Sequence, residues 1–417
     1  VIPIGYCNER MKLGSQRSVV DYLVKMRQFD NDQLFSALLS SGNLTNDMVI
    51  GLVDTVARFH SKAECREHYF EPHKIKSFIH DNIEVCCSPS LGSEIRQLAQ
   101  QVETLLLDSI QENRKLINQR SLTHVKALHG DLHLGNICRF QGRSIPFDGI
   151  EFSNDYACCD VWADIAFLIM DFIYRDSPTL AHSVRNRYLE RSNDYSGLPL
   201  LSLYVGYRAT VRAKVEALSG DNKHNEVKQL LLLAKRSVEE VPSPRLFAIG
   251  GLSGSGKSTI AAELAPQINA IHIRSDAVRK HLVGIDLDKK APRDAYTRKM
   301  GEKVYAEMVE KAKLALENGY SVILDAVYLK DRQRRALEQL ANKSNLPFLG
   351  LWCDLSPDTA RKRILNRGND ISDADIAVYD AQLIEKEDPA PISWSILNTE
   401  SPIDETVQKA IGMCLRN

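Results

Sequence analysis

Apolar residues recur at helical spacing through most of the first 240 residues of this 417-residue chain. The spacing predicts a long amphipathic helix over residues 93–118 and two further helices over residues 201–218 and 226–240. One early segment, residues 19–26, is instead rich in β-branched residues, which is typical of a strand. The first part of the chain is therefore predicted to be mostly helical.

Beyond residue 243 the pattern changes to short apolar runs, each followed by a polar turn and a helical segment. The runs typical of buried strands are residues 246–250, a short run from residue 270, and residues 320–326 and 348–353. Strands that alternate with helices favour a parallel sheet covered on both faces, a three-layer α/β arrangement. Val241-Pro242-Ser243-Pro244 breaks the preceding helix, so we expect two domains, residues 1–240 and 243–417.

A glycine-rich turn separates the first of these strands from a helix-forming segment. Its sequence is Gly251-Leu252-Ser253-Gly254-Ser255-Gly256-Lys257-Ser258, followed by Thr259, and it matches G-x-x-x-x-G-K-S/T. The glycines let backbone amides point at phosphate oxygens, and the new helix adds the positive end of its dipole. In such loops the lysine reaches the β- and γ-phosphates and the hydroxyl after it ligates Mg²⁺. We predict that a nucleotide binds at Gly251, Ser253, Gly254, Ser255, Gly256, Lys257, Ser258 and Thr259, with Ser258 as a metal ligand.

Composition narrows the class of protein. The formal net charge is −1, so no overall charge favours nucleic acid or a membrane as a partner. No run approaches the roughly 20 apolar residues of a membrane span, and no signal peptide opens the chain. The nine cysteines lack C-x-x-C spacing and include adjacent pairs, which favours free thiols in a reducing cytosol. We expect a cytoplasmic protein without a membrane partner, and the sequence leaves its oligomeric state open.

A second chemical stretch lies in the first part of the chain. It is His129-Gly130-Asp131-Leu132-His133-Leu134-Gly135-Asn136, and Asp148 follows at the end of a short apolar run. The spacing H-x-D-x-x-x-x-N with a later aspartate is that of kinase catalytic loops. Here the chain resembles the aminoglycoside phosphotransferase family. The resemblance implies that Asp131 orients or deprotonates an acceptor hydroxyl, that Asn136 and Asp148 hold Mg²⁺, and that Asp164 braces the loop.

That family also builds an N-terminal lobe with a phosphate-covering loop and a lysine on a strand. Only residues 1–18 precede the strand predicted at residues 19–26, and they contain neither feature. We therefore expect a kinase-like domain that lacks most of its N-terminal lobe, which argues against ATP use by this half. Because the chain begins at Val1 rather than methionine, a fragment edge and a lost lobe are both open.

Acidic residues follow two of the predicted strands in the second domain. Asp276 and Arg279 lie just after the strand that begins at residue 270, at the end where open α/β sheets bind ligands. This D-x-x-R spacing resembles small P-loop kinases such as polynucleotide kinase, gluconate kinase and chloramphenicol phosphotransferase. The resemblance implies that Asp276 activates the acceptor hydroxyl and Arg279 contacts substrate or phosphate; the alternative is that Asp276 only caps a helix. Asp325 ends another strand at the Walker B position and is predicted to act at the Mg²⁺ site or to face the substrate.

Basic residues are concentrated on a helix predicted over residues 358–367. In the kinases that the chain resembles, this region is a lid whose arginines close over the phosphates, which implies that role for Arg363 and Arg367. The alternative is a solvated basic helix. In the first domain, Arg208, Arg212 and Lys214 are predicted to form a solvated basic face rather than a binding site.

The two resemblances together favour a fusion. The order of the halves is similar to that of bacterial proteins that join an aminoglycoside phosphotransferase-like domain to an AAA-type ATP-binding domain. We expect the second domain to transfer the γ-phosphoryl group of ATP, with Mg²⁺, to a hydroxyl of a small molecule. The run Asn342-Lys343-Ser344-Asn345 lacks the aspartate that reads guanine, which favours ATP. Two alternatives are a 5′-hydroxyl polynucleotide kinase, which would need a basic channel with aromatic residues, and an ATP-binding regulatory module with a pseudokinase half.

Overall fold

The protein is a mixed α/β protein, and 59% of its described residues are helical. The computed structural model describes residues 1–7, 10–220, 222–240, 243–366, 371–385 and 394–416. Within these ranges, no helix combines the length and the apolar character that crossing a membrane requires. Val241 and Pro242 of the predicted domain boundary lie outside the described residues.

The chain begins with a small antiparallel sheet in the order β2-β1-β3. Its strands are β1 Ile2–Cys7, β2 Arg10–Leu13 and β3 Val19–Leu23. Most side chains of these strands are exposed, so the sheet contributes little to the core. The strand predicted over residues 19–26 is present and ends at Leu23.

Helices make up most of the remainder of the first part. They are α1 Phe35–Ser40, α2 Asn46–Lys62, α3 Pro72–Cys86, α4 Gly92–Glu112, α5 Arg114–Arg120, α6 Asn154–Ala157, α7 Val161–Tyr174, α8 Pro178–Ser192, α9 Leu201–Leu218 and α10 His224–Glu239. Two short antiparallel strand pairs accompany them, β4 Val125–Ala127 with β7 Cys158–Asp160, and β5 Ile137–Phe140 with β6 Arg143–Pro146. The mostly helical character is confirmed, whereas the kinase-like identity of this part stays a prediction.

One predicted helix is divided in the structure. The amphipathic pattern over residues 93–118 belongs to two helices, α4 and α5, which are separated at Asn113. The Asn113 side chain donates to the carbonyl oxygen of Ser109 at 2.9 Å. Asparagine competes with the helix by making such local hydrogen bonds, so the apolar stripe continues while the helix does not.

The second part is built on five parallel strands in the order β12-β11-β8-β10-β9. The strands are β8 Leu246–Gly250, β9 Ala270–Arg274, β10 Ser321–Asp325, β11 Phe348–Asp354 and β12 Ser395–Asn398. The helices are α11 Lys257–Gln267, α12 Ser275–Leu282, α13 Arg298–Glu317, α14 Asp331–Lys343, α15 Pro357–Leu365, α16 Ile376–Glu385 and α17 Ile403–Arg416. Apolar residues of α11 and α17 cover one face of the sheet, and those of α12, α13 and α14 cover the other. The predicted three-layer parallel α/β arrangement is confirmed for this part.

Helix α8 of the first part packs directly against the second part. The His182 Nδ1 atom lies 2.8 Å from the carbonyl oxygen of Pro266 in α11. At the other end of α8, Arg191 donates to a carboxylate oxygen of Asp288 at 2.9 Å. Buried apolar residues from both parts belong to one continuous core. The two parts are therefore joined along α8 and not only through the linking chain.

Candidate functional site

The glycine-rich loop lies between the end of β8 and the start of α11. Gly254 and Gly256 adopt φ angles of 79° and 84°, a left-handed conformation that residues with a Cβ atom avoid. A Cβ atom on Gly254 would also lie 2.8 Å from the carbonyl oxygen of Ala360 in α15. Glycine is therefore required at Gly254 both by its backbone angles and by the helix that covers it.

Three polar side chains of the loop lie at the first turn of α11. Lys257 begins the helix, and its Nζ atom lies 3.4 Å from the carbonyl oxygen of Leu252. Ser258 and Thr259 follow in the same turn, where backbone N–H groups have no partner within the helix. The Ser255 hydroxyl is buried and has no hydrogen-bond partner among the described residues. Unpaired donors at a helix N-terminus are suited to binding an anion.

Asp325, at the end of β10, is close to this loop and is buried. Its Oδ2 atom lies 3.1 Å from His272 Nε2. Burial alone would raise the pKa of this carboxyl group, but the hydrogen bond from His272 and the charges of Lys257 and Arg274 lower it below its ordinary value. The sequence singled out Asp325 but missed His272, because a histidine inside an apolar strand carries no motif.

The donor set fits the predicted magnesium ion. The Oδ1 atom of Asp325 is buried and has no hydrogen-bond partner among the described residues. An unpaired carboxylate oxygen is costly to bury, and a cation or its water would satisfy it. Mg²⁺ in nucleotide sites is held by one or two protein oxygens together with water and substrate phosphates. Asp325 and the Ser258 hydroxyl meet that requirement.

Asp276 and Arg279 both lie on α12, and their side chains have different surroundings. Asp276 is half-buried in the first turn. Burial raises the pKa of Tyr305, on α13, to about 12, and the negative charge of Asp276 acts in the same direction. The Asp276 carboxylate therefore lies near α13. Arg279 donates to the carbonyl oxygen of Ala295 at 2.8 Å, and its guanidinium lies 4.9 Å from the centre of the Tyr296 ring. Arg279 is therefore held toward the α12–α13 connection.

Arg363, on α15, lies over the glycine-rich loop. Its Nη2 donates to the carbonyl oxygen of Thr399 at 2.8 Å. A Cβ atom built on Gly256 would lie 3.3 Å from Arg363 Nη1, so the guanidinium is adjacent to the loop backbone. Arg367, the second predicted arginine, and residues 368–370 lie outside the described residues.

A pocket of about 430 Å³ opens beside the glycine-rich loop. Its walls come from the loop, from the end of β11 and from α15, α16 and the residues after β12. Lining side chains include Leu252, Trp352, Pro357, Tyr379 and Asn398. Polar residues, among them Ser253, Asp354 and Glu400, line the pocket together with these aromatic and apolar side chains. Both kinds of group occur in sites for small organic molecules.

The loop around Asp131 is ordered by its own side chains. Asn136 Nδ2 donates to Asp131 Oδ2 at 2.8 Å and to the Asp131 carbonyl oxygen at 3.0 Å. His133 Nε2 lies 3.3 Å from Asp131 Oδ2. Burial would raise the pKa of Asp131, but these partners lower it. Asp131 and Asp148 line a common pocket of about 440 Å³, so the structure brings Asp131, Asn136 and Asp148 together.

Two buried charged residues, Asp164 and Arg208, form hydrogen bonds with the backbone of the Asp131 loop. Asp164 Oδ1 accepts a hydrogen bond from the Gly130 amide at 2.9 Å, and Asp164 Oδ2 lies 3.1 Å from His60 Nε2. Arg208 donates to the carbonyl oxygens of Gly130 at 3.0 Å and Ala163 at 2.8 Å.

Arg208 is only 4% exposed, so its assignment to a solvated basic face was wrong. The first turns of α9 are buried on most sides. Such a helix segment has no distinct polar face, so its sequence pattern does not show which of its residues are exposed.

Comparison with known proteins supports the description of the second part. Residues 246–389 match the family model described as an AAA domain. With the loop geometry and the parallel sheet, this match makes the second part an AAA-type P-loop domain.

Two uncharacterized proteins resemble most of the chain. One is from Mycobacterium tuberculosis and is 26% identical over 412 residues, covering 93% of this chain and 80% of that protein. The other, from Mycobacterium bovis, gives the same values of 26% over 412 residues, with 93% and 80% covered.

Solved structures also resemble part of the chain. An unliganded sugar kinase from Janibacter is 20% identical, with a TM-score of 0.32, and the match covers 40% of this chain and 93% of that one. A gluconokinase from Sinorhizobium meliloti is 22% identical, with a TM-score of 0.31 and coverage of 42% and 94%. The APS kinase of Mycobacterium tuberculosis in complex with AMPPNP and APS is 18% identical, with a TM-score of 0.32 and coverage of 42% and 98%.

Proposed function

We propose that this protein transfers the γ-phosphoryl group of ATP to a hydroxyl group of a small molecule, and that residues 243–417 carry the reaction. The observation that carries the proposal is the position of Lys257, which begins α11, acts electrostatically on Asp325 and directly follows Gly256, the residue beside the Arg363 guanidinium. Positioning and charge neutralisation supply most of the catalysis in phosphoryl transfer. This loop offers both.

The glycine-rich loop would bind the phosphates and the adjacent pocket would bind the base. Loop amides and Lys257 neutralise the β- and γ-phosphates, while Arg363 contacts the oxygens that gain charge in the transition state. The pocket lined by Trp352, Tyr379 and Asn398 offers aromatic faces on which a base could stack and polar groups that could bond to its edge. Ser258 and Asp325 would hold Mg²⁺, which would supply positive charge to stabilise the phosphates.

The acceptor hydroxyl would bind near Asp276. This carboxylate lies in the first turn of α12 at the carboxyl edge of the parallel sheet, where ligands bind in folds of this type. Asp276 accepts the hydroxyl proton as the bond to phosphorus forms. Because Arg279 contacts Ala295 and Tyr296, we assign it to the wall of the acceptor site.

The test uses the purified full chain, Mg²⁺-ATP and a panel of hydroxyl compounds. Lys257→Ala should abolish both ATP affinity in calorimetry and turnover. Asp276→Asn should keep ATP affinity and lower turnover by about 10²–10⁴-fold, the usual contribution of a general base. Lys343→Ala is the matched control, because Lys343 is exposed at the far end of α14.

Other outcomes separate the alternatives. Activity that survives Lys257→Ala and disappears in Asp131→Ala would assign the chemistry to the first half and contradict the proposal. Transfer to the 5′ end of an oligonucleotide, with no transfer to small alcohols, would favour a polynucleotide kinase. Magnesium-dependent ATP affinity that is equal in wild type and Asp276→Asn, without transfer to any acceptor, would favour a regulatory module.

A further inference from the structure

Strand β9, at one edge of the parallel sheet, forms hydrogen bonds with a side chain from the first half of the chain. Strand β9 pairs with β10 on one side only. On its free side, Asn186 Nδ2 donates to the carbonyl oxygen of Ala270 at 2.9 Å, and Asn186 Oδ1 accepts from the amide of His272 at 3.4 Å. In a parallel sheet, the N–H and C=O groups of one residue bond to two residues of the neighbouring strand, and these two flank the residue directly opposite. The Asn186 carboxamide therefore takes the place of a missing strand.

Arg185 strengthens the same contact. It is 4% exposed, and it donates to the Asn269 side chain at 2.8 Å and to the carbonyl oxygen of Ala270 at 3.3 Å. Both side chains belong to α8, so this helix fixes the start of β9 through several hydrogen bonds. Edge strands otherwise leave such groups to solvent or to unwanted pairing.

The residue fixed in this way contacts the predicted magnesium ligand. His272 Nε2 lies 3.1 Å from Asp325 Oδ2. An ionised carboxylate only accepts hydrogen bonds, so the imidazole must donate from Nε2. The hydrogen bond occupies Oδ2 and leaves Oδ1 as the oxygen without a protein partner among the described residues. His272 thus determines which carboxylate oxygen of Asp325 is left for a ligand.

We propose that Asn186 and His272 are positioning residues for Asp325, so that the first half of the chain builds part of the nucleotide site in the second half. This inference rests on the proposed function. Removing the Asn186 carboxamide would release the His272 backbone, and the imidazole would then hold Asp325 less firmly. Groups that orient a metal-binding residue commonly change metal affinity by about 10–100-fold when they are removed.

The experiment measures ATP affinity of the full chain by calorimetry, once with Mg²⁺ and once with excess EDTA. In His272→Ala the gain in affinity that Mg²⁺ provides should fall about tenfold, whereas the affinity in EDTA should stay unchanged. His272→Gln should recover most of the gain, because its amide can still donate to Asp325. Asn186→Ala should lower the gain in the same direction by several-fold.

The matched control is His182→Ala. His182 lies on the same helix at the same contact between the halves, but it bonds to Pro266 in α11 and not to β9. This variant should keep the full effect of Mg²⁺ on ATP affinity. An equal loss in His182→Ala would show that general loosening of the contact is responsible, and the inference would be overturned.

The remaining outcomes are also decisive. Wild-type behaviour of His272→Ala would overturn the inference while leaving the proposed function intact. A wild-type protein whose ATP affinity does not respond to Mg²⁺ would instead overturn the proposed function. If Asn186→Ala fails to fold, Asn186→Leu takes its place, because leucine is of similar size and removes both the acceptor for the His272 amide and the donor to Ala270. An unchanged Mg²⁺ effect in that variant would remove Asn186 from the inference.

Discussion

Replacing Gly254 by alanine tests whether the covered glycine-rich loop is what binds the phosphates. Gly254 has a φ angle of 79°, and forcing a residue with a Cβ atom into that region costs roughly 1–2 kcal/mol. The new Cβ atom would also lie 2.8 Å from the Ala360 carbonyl oxygen and 3.0 Å from Ile364 Cγ1. A backbone oxygen inside a helix cannot move alone, so either α15 or the loop must shift.

Both shifts would weaken phosphate binding. Movement of the loop misdirects its amides, and movement of α15 withdraws Arg363. We expect Gly254→Ala to bind Mg²⁺-ATP at least about tenfold more weakly, which corresponds to about 1.4 kcal/mol. Calorimetry measures the affinity, and urea unfolding measures the separate cost to stability.

Gly142→Ala is the matched control. Gly142 has a φ angle of 76°, and nothing lies within 4 Å of the position its Cβ atom would take. It should lose a similar roughly 1–2 kcal/mol of stability from its backbone angle and keep full ATP affinity. If Gly254→Ala binds ATP as tightly as wild type, the packing of α15 against the loop does not shape the phosphate site, and the reasoning fails.

Three further predictions concern single residues. Asp164→Ala should lower the free energy of unfolding by about 3–5 kcal/mol in urea titrations, because it strands the Gly130 amide and removes a buried charged partner; an unchanged value would contradict the bracing role. Burial lowers the pKa of His182 to about 4, below its ordinary value, so stability is full at neutral pH and falls as pH drops through the unfolded-state pKa. Urea unfolding at about pH 7 and about pH 5 should differ by about 2 kcal/mol more in wild type than in His182→Gln, and equal differences would refute the assignment. Arg363→Ala should lower kcat by about 10²–10³-fold, whereas Lys362→Ala on the same helix should leave kcat unchanged; equal effects would show that α15 contributes only general positive charge.

The local sequence pattern was sufficient to predict elements that contain a continuous apolar run or a regular helical spacing of apolar residues. The apolar run at Leu246–Gly250 and the helix at Leu201–Leu218 have the bounds that the sequence predicts. Helix α13, Arg298–Glu317, and strand β12, Ser395–Asn398, were not predicted at all. The strand is short and only partly buried, so it presents no continuous apolar run that a sequence pattern could detect.

The sequence alone determined the glycine-rich loop of this protein. Its left-handed glycines and the helix start that follows depend on the local backbone, so a short stretch of consecutive residues is enough to predict them. Only the tertiary structure decided that Arg208 lies beneath the Asp131 loop and that His272 holds Asp325. Asn186 and His272 are 86 residues apart in the chain and become neighbours only because α8 packs against the edge of the sheet. Side chains that act through such packing carry no local signal, since their partners are chosen by the fold and not by their spacing in the sequence.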